Sequence, residues 1–379
     1  MFTTKKIARV SVINDLVTDN RVKKTCEVLV ECGYHVVLIG RELKSSLPLP
    51  LWPYKAERMR LLFTKGPLFY FFFNLRLFFK LLFSKSDLLY ANDLDTLLPN
   101  YLLSKWKGIP LIYDSHELFC EVPELQHSPL KKKVWQFLED RLVPKVEFRI
   151  TVNQSIARVL GERHGVAFSV VRNIPDTMII PHKTRAALGL PEQEKLMILQ
   201  GAGINVQRGA EELVEAMQWV TNARLLIIGG GDVWPVLKEL VNQLDLKQKV
   251  LLMGKLPRAQ LLEYTRVCDL GLTLDKNTNL NYYYSLPNKL FDYLFNGVPV
   301  LASRLPEIQS IVEHYEVGDF VDDHHPQHIA AKLNELLNSQ DLKRYKENTG
   351  RVIAELNWES EKKVLSDVIQ KAGLNAGKK

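Results

Sequence analysis

Residues 282–303 read YYYSLPNKLFDYLFNGVPVLAS. A turn at Ser285–Pro287 gives way to a short helical run, Gly297 ends it, and a continuous apolar run follows. A helix, a glycine stop and a buried strand make up the repeating unit of a parallel sheet covered on both faces. The unit recurs upstream. LMILQG (196–201), ARLLIIGGG (223–231), KVLLMG (249–254) and DLGLTL (269–274) are apolar strands, separated by helix-length segments at 209–220, 233–244 and 258–267. The first half repeats the theme with KIARVSVI (6–13), a helical run at 21–32, YHVVLIG (34–40), DLLYA (87–91), PLIYDS (110–115), FRITV (148–152) and FSVVR (168–172). The pattern predicts an α/β fold of two Rossmann-like, doubly wound domains facing across a cleft. Ligands of such sheets sit at the carboxyl ends of strands, so the cleft is the expected site.

Length and charge agree with two domains. The chain has 379 residues, and roughly 150 is usual for one domain. Apolar residues at 46% and charged residues at 25% exclude bulk disorder. The net charge is +7, yet residues 1–176 hold 26 Lys+Arg against 18 Asp+Glu, whereas 177–379 hold 24 against 25. The basic excess belongs to the first half, which implies different partners for the two halves. The change falls in NIPDTMIIPHK, bracketed by Pro175 and Pro181, and reads as a linker between a domain at 1–175 and one at 176–355. None of the four cysteines forms a C-x-x-C pair, so no zinc site or disulfide framework is expected, and a reducing compartment fits. The basic start runs straight into a strand without the apolar stretch of a leader, which suggests a cytoplasmic chain. No cluster with metal-ligand spacing is legible, so neither metal nor cofactor is expected.

Several motifs carry chemistry. ARLLIIGGGDVWPVLKELV joins a strand to a helix through Gly229–Gly231 without the strict G-x-G-x-x-G spacing; it suits phosphate, or simply a tight turn with Asp232 as N-cap. In LQGAGINVQRGAEELVEAM, Gly203 lies in the turn and Arg208 stands just before a helix. A lone cation there opposes the helix dipole and points to an anionic ligand. In 282–303, Lys289 and Asp292 share a helix face; the lysine can neutralise phosphate and the carboxylate can hold ribose hydroxyls, with a surface ion pair as the plainer alternative. YDSHELF (113–119) places His116 and Glu117 at a strand end, where the histidine is an acid, a base, a sugar ligand or a structural cap. VINDLVTDNRV (12–22) leaves the first strand with Asn14, Asp15, Asp19 and Arg21 in the loop, as ligand groups or as plain polar caps. GPLFYFFFNLRLFFKLLFS (66–84) has eight aromatic residues in 19. Arg76 and Lys80 argue against a membrane span and for an interfacial helix, with Phe72 and Phe73 toward lipid and the two cations at headgroups. A domain helix with a broad core face is the alternative. The aromatics do not interleave with basic residues, which disfavours nucleic acid.

Taken in order, these segments resemble glycosyltransferase family 4, the retaining GT-B enzymes, over nearly the whole chain. The resemblance rests on NDLVTDNRV, GYHVVLIGR, ANDLDT (91–96), YDSHEL, VRNIPD, RGAEELVEAM, IIGGG and LPNKLFDYLFNGVPV. NWESEK (357–362) is similar to the start of the family's last helix, here 356–379, which crosses back to the first domain. The resemblance implies that the second domain holds the donor. Arg208 takes the place of the family's pyrophosphate-binding lysine. Asp292 takes that of the second glutamate of the Glu-x7-Glu motif, on the donor ribose. His116 matches the histidine near the donor sugar. Gly203, Tyr284, Ser285 and Lys289 complete the donor set, and Asn14, Asp15, Arg21 and Glu117 line the acceptor side. The chain departs from the pattern at Tyr284, which stands for the first glutamate, and at Ala202–Gly203, where an arginine usually follows the strand. Asp292 is one methylene short, and the first loop lacks a glycine pair. Lys289 supplies the missing charge. The implied activity moves a sugar, with retention, from a nucleotide-sugar to a lipid-linked or polysaccharide acceptor at the cytoplasmic membrane face, with peripheral membrane contact and no metal. Two alternatives stay open: an inverting GT-B transferase or sugar-nucleotide epimerase using His116 or Glu117 as base, and a non-catalytic nucleotide-binding membrane scaffold.

Overall fold

A computed structural model describes residues 6–126, 128–178 and 180–375. The first five residues of the N-terminal stretch and position 179 of the linker read above lie outside them. The chain divides into two compact units, Met1–Asn173 with Glu359–Lys379, and Ile174–Trp358.

The first unit is built on seven parallel strands: β1 (Ile7–Asp15), β2 (His35–Arg41), β3 (Lys55–Met59), β4 (Leu88–Asn92), β5 (Leu111–Ser115), β6 (Phe148–Thr151) and β7 (Ser169–Val170), in the order β3-β2-β1-β4-β5-β6-β7. Its helices are α1 (Asn20–Glu31), α2 (Gly66–Leu82), α3 (Leu94–Lys107), α4 (Pro123–Gln126), α5 (Pro129–Leu142) and α6 (Gln154–His164). The second unit has six parallel strands, β8 (Lys195–Gly201), β9 (Ala223–Gly229), β10 (Val250–Met253), β11 (Leu270–Thr273), β12 (Val300–Ser303) and β13 (Gly318–Val321), ordered β10-β9-β8-β11-β12-β13. Helices α7 (Ala210–Ala216), α8 (Trp234–Gln243), α9 (Arg258–Arg266), α10 (Leu280–Tyr283), α11 (Asn288–Phe295), α12 (Pro306–Tyr315), α13 (Pro326–Asn338) and α14 (Asp341–Glu355) cover it. The last helix, α15 (Trp358–Asn375), lies on the first unit: Glu361 takes Arg172, and Lys362 pairs with Glu31 at 2.6 Å.

Each sheet has the doubly wound order in which the chain reverses direction between its first and fourth strands. That switch point opens a crevice at the carboxyl ends. It falls between β1 and β4 in one unit and between β8 and β11 in the other. The central strands are buried on both faces, as continuous Val/Ile/Leu runs require. Strands β3 (KAERM) and β13 (GDFV) were not expected; they are sheet edges, where only one neighbour must be satisfied and polar residues are tolerated.

The aromatic helix is a correction. Phe73 is fully buried with Phe69, Leu77 and Leu81 in the core beneath α2, so it is not a lipid contact, whereas Phe72 is exposed. Arg76 donates to the Arg60 carbonyl, and Lys80 pairs with Glu57 at 2.5 Å. Both cations are held within the chain.

The glycine run after β9 is required by close approach. Gly229 has φ +150°, and a Cβ there would lie 1.9 Å from the Gly201 carbonyl oxygen. Gly229→Ala is expected to cost about 1–3 kcal/mol through overpacking, read as a lower urea midpoint. An unchanged midpoint would show that the β8 and β9 ends can separate without cost.

Candidate functional site

At the switch point of the second unit, Leu199–Ile204, Arg208 and Pro287–Lys289 line a pocket of about 200 Å³. Its shape follows from local constraints. The loop after β8 returns against the end of β11 because residue 209 is glycine, with φ +73°; a Cβ there would meet the Leu274 carbonyl oxygen at 2.3 Å. That path puts Arg208 3.2 Å from Asp275 and stacks its guanidinium over the Tyr282 ring, 4.0 Å from the centroid. From the other side, α11 brings Lys289 to 3.5 Å from Asp275. Tyr293 anchors α11 to the sheet: its hydroxyl accepts the Gln200 N–H at 3.0 Å and donates to the Leu272 carbonyl at 3.2 Å. Its ring fits over Gly271, where a Cβ would come within 2.4 Å.

Asp275 is completely buried. Burial alone would raise its pKa, but Lys289 and Arg208 outweigh that and hold it below the usual carboxylate range. Burial also lowers the pKa of Lys289, with Asp275 opposing. Two cations on one carboxylate leave one positive charge facing the pocket. That is the electrostatic and hydrogen-bonding complement of a diphosphate.

Of the expected donor residues, Gly203, Arg208 and Lys289 come together here. Asp292 does not offer a free carboxylate. It is buried, forked onto Arg258 at 2.7 and 3.2 Å, and bonded by Gln200 at 3.1 Å. Burial raises its pKa, with Arg258 opposing. Lys289 and Asp292 do lie three apart on one helix, but their charged groups take different partners, Asp275 and Arg258. Ser285 donates to the Tyr282 carbonyl at 2.9 Å and caps the turn, and Tyr284 packs on Tyr283. Asp232 is not an N-cap; it accepts the Val206 N–H at 3.0 Å.

The first unit concentrates polar groups at its own switch point. Arg21 is not in a loop but in the first turn of α1, whose N-cap Asp19 accepts the Val22 N–H. It is buried, forked onto Asp114 at 2.6 and 3.2 Å, and donates to the Val171 carbonyl at 2.7 Å. Tyr90 donates to the same carboxylate at 2.9 Å. His116 has its backbone N–H on Asp93 at 2.8 Å and its ring Nδ1 3.2 Å from the other Asp93 oxygen. Its Nε2 lies 3.2 Å from Asn92 Oδ1 and 3.7 Å from Asp114. Both ring nitrogens therefore face acceptors. Asp93 reaches this place with φ +59°, a conformation that costs a non-glycine residue about 1–3 kcal/mol. Burial disfavours the imidazolium, but Asp93 and Asp114 outweigh it and raise the His116 pKa to about 9. Asn14 is exposed and bonds Asp19 at 3.1 Å. Asp15 holds Ser46, the Val17 N–H and Arg58. Glu117 is half-buried, its carbonyl taken by Ser115.

Residues unnoticed in the sequence are Asp275, Tyr282, Gln200 and Arg258 in the second unit and Asp93 in the first. Among the described residues one set of metal-ligand type assembles that spacing did not reveal: Glu139, Asp140 and His164. Arg163 already pairs with Glu139 at 3.2 Å and supplies the positive charge there.

Comparison with known proteins agrees with this architecture. The model of Glycosyltransferase Family 4 matches residues 19–177, and that of Glycosyl transferases group 1 matches 182–352. Each half of the chain is thus similar to one of two glycosyltransferase domain models, and the two together span most of its length. D-inositol 3-phosphate glycosyltransferase of Thermobispora bispora is 25% identical over 296 residues, 71% of this chain and 66% of that one. The chain spans about half the length of the curated relatives it matches, from 39% to 66%. Two solved structures share the GT-B fold. Sucrose-phosphate synthase of Thermosynechococcus elongatus has TM-score 0.79 and 18% identity, covering 97% of this chain and 99% of that one. HepE of Anabaena, in complex with UDP and glucose, has TM-score 0.72 and 16% identity, covering 97% and 100%.

The His116 cluster carries a pH signature. A folded pKa above the free value of about 6.5 stabilises the protein fully below that pH, and the contribution is lost as pH rises through about 9. Between these limits the wild-type melting temperature is expected to fall more steeply than that of His116→Gln. Parallel slopes would mean that the ring is neutral in the fold.

Proposed function

We propose that this chain is a glycosyltransferase that transfers a sugar, with retention of anomeric configuration, from a nucleoside-diphosphate donor to a lipid-linked or polysaccharide acceptor at the cytoplasmic membrane face, in cell-envelope polysaccharide synthesis. The observation that carries the reading is the pair Arg208 and Lys289 on one buried carboxylate, at the crevice where such sheets take their ligands. Binding of UDP-glucose by the HepE structure supports a nucleotide-sugar donor.

In this reading the donor diphosphate enters the pocket and its oxygens meet the Arg208 guanidinium and the Lys289 ammonium. As the bond between the anomeric carbon and the leaving oxygen breaks, negative charge grows on the diphosphate, and the two cations stabilise it. The acceptor hydroxyl attacks from the same face and passes its proton to the departing phosphate oxygen. No side-chain base is then required. His116 fits this scheme better than it fits a base: as an imidazolium with both nitrogens on acceptors it has no lone pair to offer. Arg208 and Lys289 supply the neutralisation that a metal otherwise would.

Mass-spectrometric screening of nucleotide-sugar hydrolysis tests the reading, since the same bond breaks with water as acceptor. Wild type is expected to hydrolyse at least one donor. Arg208→Ala is expected to weaken nucleoside-diphosphate binding by about 10- to 100-fold, the worth of a charge-assisted hydrogen bond. Unchanged nucleoside-diphosphate affinity in Arg208→Ala would remove its assigned role.

A further inference from the structure

Helix α2 carries two apolar stripes rather than one. Phe69, Phe73, Leu77 and Leu81 form the buried stripe. On the opposite side Leu68, Phe71, Phe72, Leu75, Phe79 and Phe83 follow the same three-and-four spacing, and all are 40% to 83% exposed. A helix apolar all round normally has all of its surface covered. Helix α5, joined to α2 by the Tyr70–Trp135 ring contact at 5.1 Å, repeats the feature. Leu130, Val134 and Phe137 are exposed on one face, and Arg141 continues the row over the Phe137 ring.

The charge around these stripes is mainly positive. Helix α2 contains no acidic residue. On α5, Lys131 and Lys133 are exposed and fall on either flank of the Leu130–Val134–Phe137 row by helical position. Lys132 points away, onto Glu121 at 2.7 Å. The exposed acid of the helix, Asp140, falls seven residues after Lys133 on the same flank, at the helix end beside Arg141, and lies 3.7 Å from His164. No described helix is long and apolar enough to cross a membrane. An aromatic and leucine surface with a cationic flank, on helices that do not span, matches the headgroup–acyl boundary of an anionic bilayer.

We propose that the outer stripe of α2 and the Leu130–Val134–Phe137 row of α5 form one docking face that enters the surface of an anionic membrane, with Lys131 and Lys133 at the headgroups. This names the membrane contact of the function proposed above and rests on that reading for its purpose, though not for its test. It also reassigns the headgroup cations from Arg76 and Lys80, which are held by the Arg60 carbonyl and Glu57.

The experiment is co-sedimentation of the full chain with phosphatidylcholine vesicles, with and without phosphatidylglycerol. Wild type is expected to pellet on the phosphatidylglycerol vesicles. Phe71→Ser with Phe79→Ser and Phe83→Ser, all outside the core, is expected to keep the melting temperature and lose about tenfold or more in vesicle affinity. Lys131→Glu with Lys133→Glu is expected to lose the preference for the anionic lipid. Equal pelleting of wild type and the triple aromatic variant overturns the proposal. So does a wild-type dimer in sedimentation velocity that the triple variant dissolves without any vesicle binding, since the face would then join two copies. Donor hydrolysis measured without vesicles separates the two readings. It is expected to be equal in wild type and both variants, and its absence from wild type would count against the transferase function while leaving the vesicle result to decide the docking face.

Discussion

A carboxylate with no exposure to water stays ionised only when cations or hydrogen-bond donors stand beside it, and two cations share a pocket wall at least cost with an anion between them. Asp275 meets both conditions at the end of β11. Arg208 comes to it on a loop that only glycine at 209 lets through, and Lys289 comes on a helix that Tyr293 ties to the strand ends. The fold itself thus orients the donors of the pocket, with one positive charge more than the carboxylate takes. Preorganised positive charge of this kind acts most strongly where negative charge develops during bond breaking.

The first unit uses the same materials to a different end. Arg21 and His116 alternate with Asp114 and Asp93, two positive groups against two negative ones, and nearly every donor has its acceptor within the cluster. A balanced network of this sort fixes geometry, holding α1, β4 and the segment after β5 in register. The unbalanced set around Asp275 has charge to spare for a ligand. The charge count within each cluster, more than the presence of ionisable residues, distinguishes the two: one is balanced and the other carries a surplus positive charge.

Much of this was legible in the sequence, and the gaps have physical causes. The central strands and most helices announce themselves because burial on both faces forces continuous apolar runs. Strands β3 and β13 do not, since an edge strand need not be apolar. Gly203, Arg208 and Lys289 were found through their places at strand ends and helix starts. Asp275 was missed because D-K-N-T-N reads as a polar loop; nothing local shows that two cations from 67 residues before and 14 after converge on it. Asp292 was misjudged for the complementary reason, that its partner Arg258 is a distant helix residue without a motif. Arg21 reads with the polar loop although it opens the helical run, because the TDN before it is loop-like; Asp19 is in fact the N-cap and the helix starts at Asn20. In α2, periodicity could not tell which of two apolar stripes faces the core, so Phe72 and Phe73 were grouped when they lie on different sides.

The claim on which the rest stands is that Asp275 holds Arg208 and Lys289 as a single cradle for the donor diphosphate. Burial lowers the pKa of Lys289, so an arriving diphosphate must draw a proton back onto it in alkaline solution. Calorimetric titration with a nucleoside diphosphate, in two buffers of different ionisation enthalpy, reads that proton directly. The account predicts uptake that grows as pH rises toward the lysine range, vanishes in Lys289→Met, and moves to lower pH with weaker binding in Asp275→Asn. Nucleoside-diphosphate binding without proton uptake at any alkaline pH, and unaltered in Asp275→Asn, would contradict it.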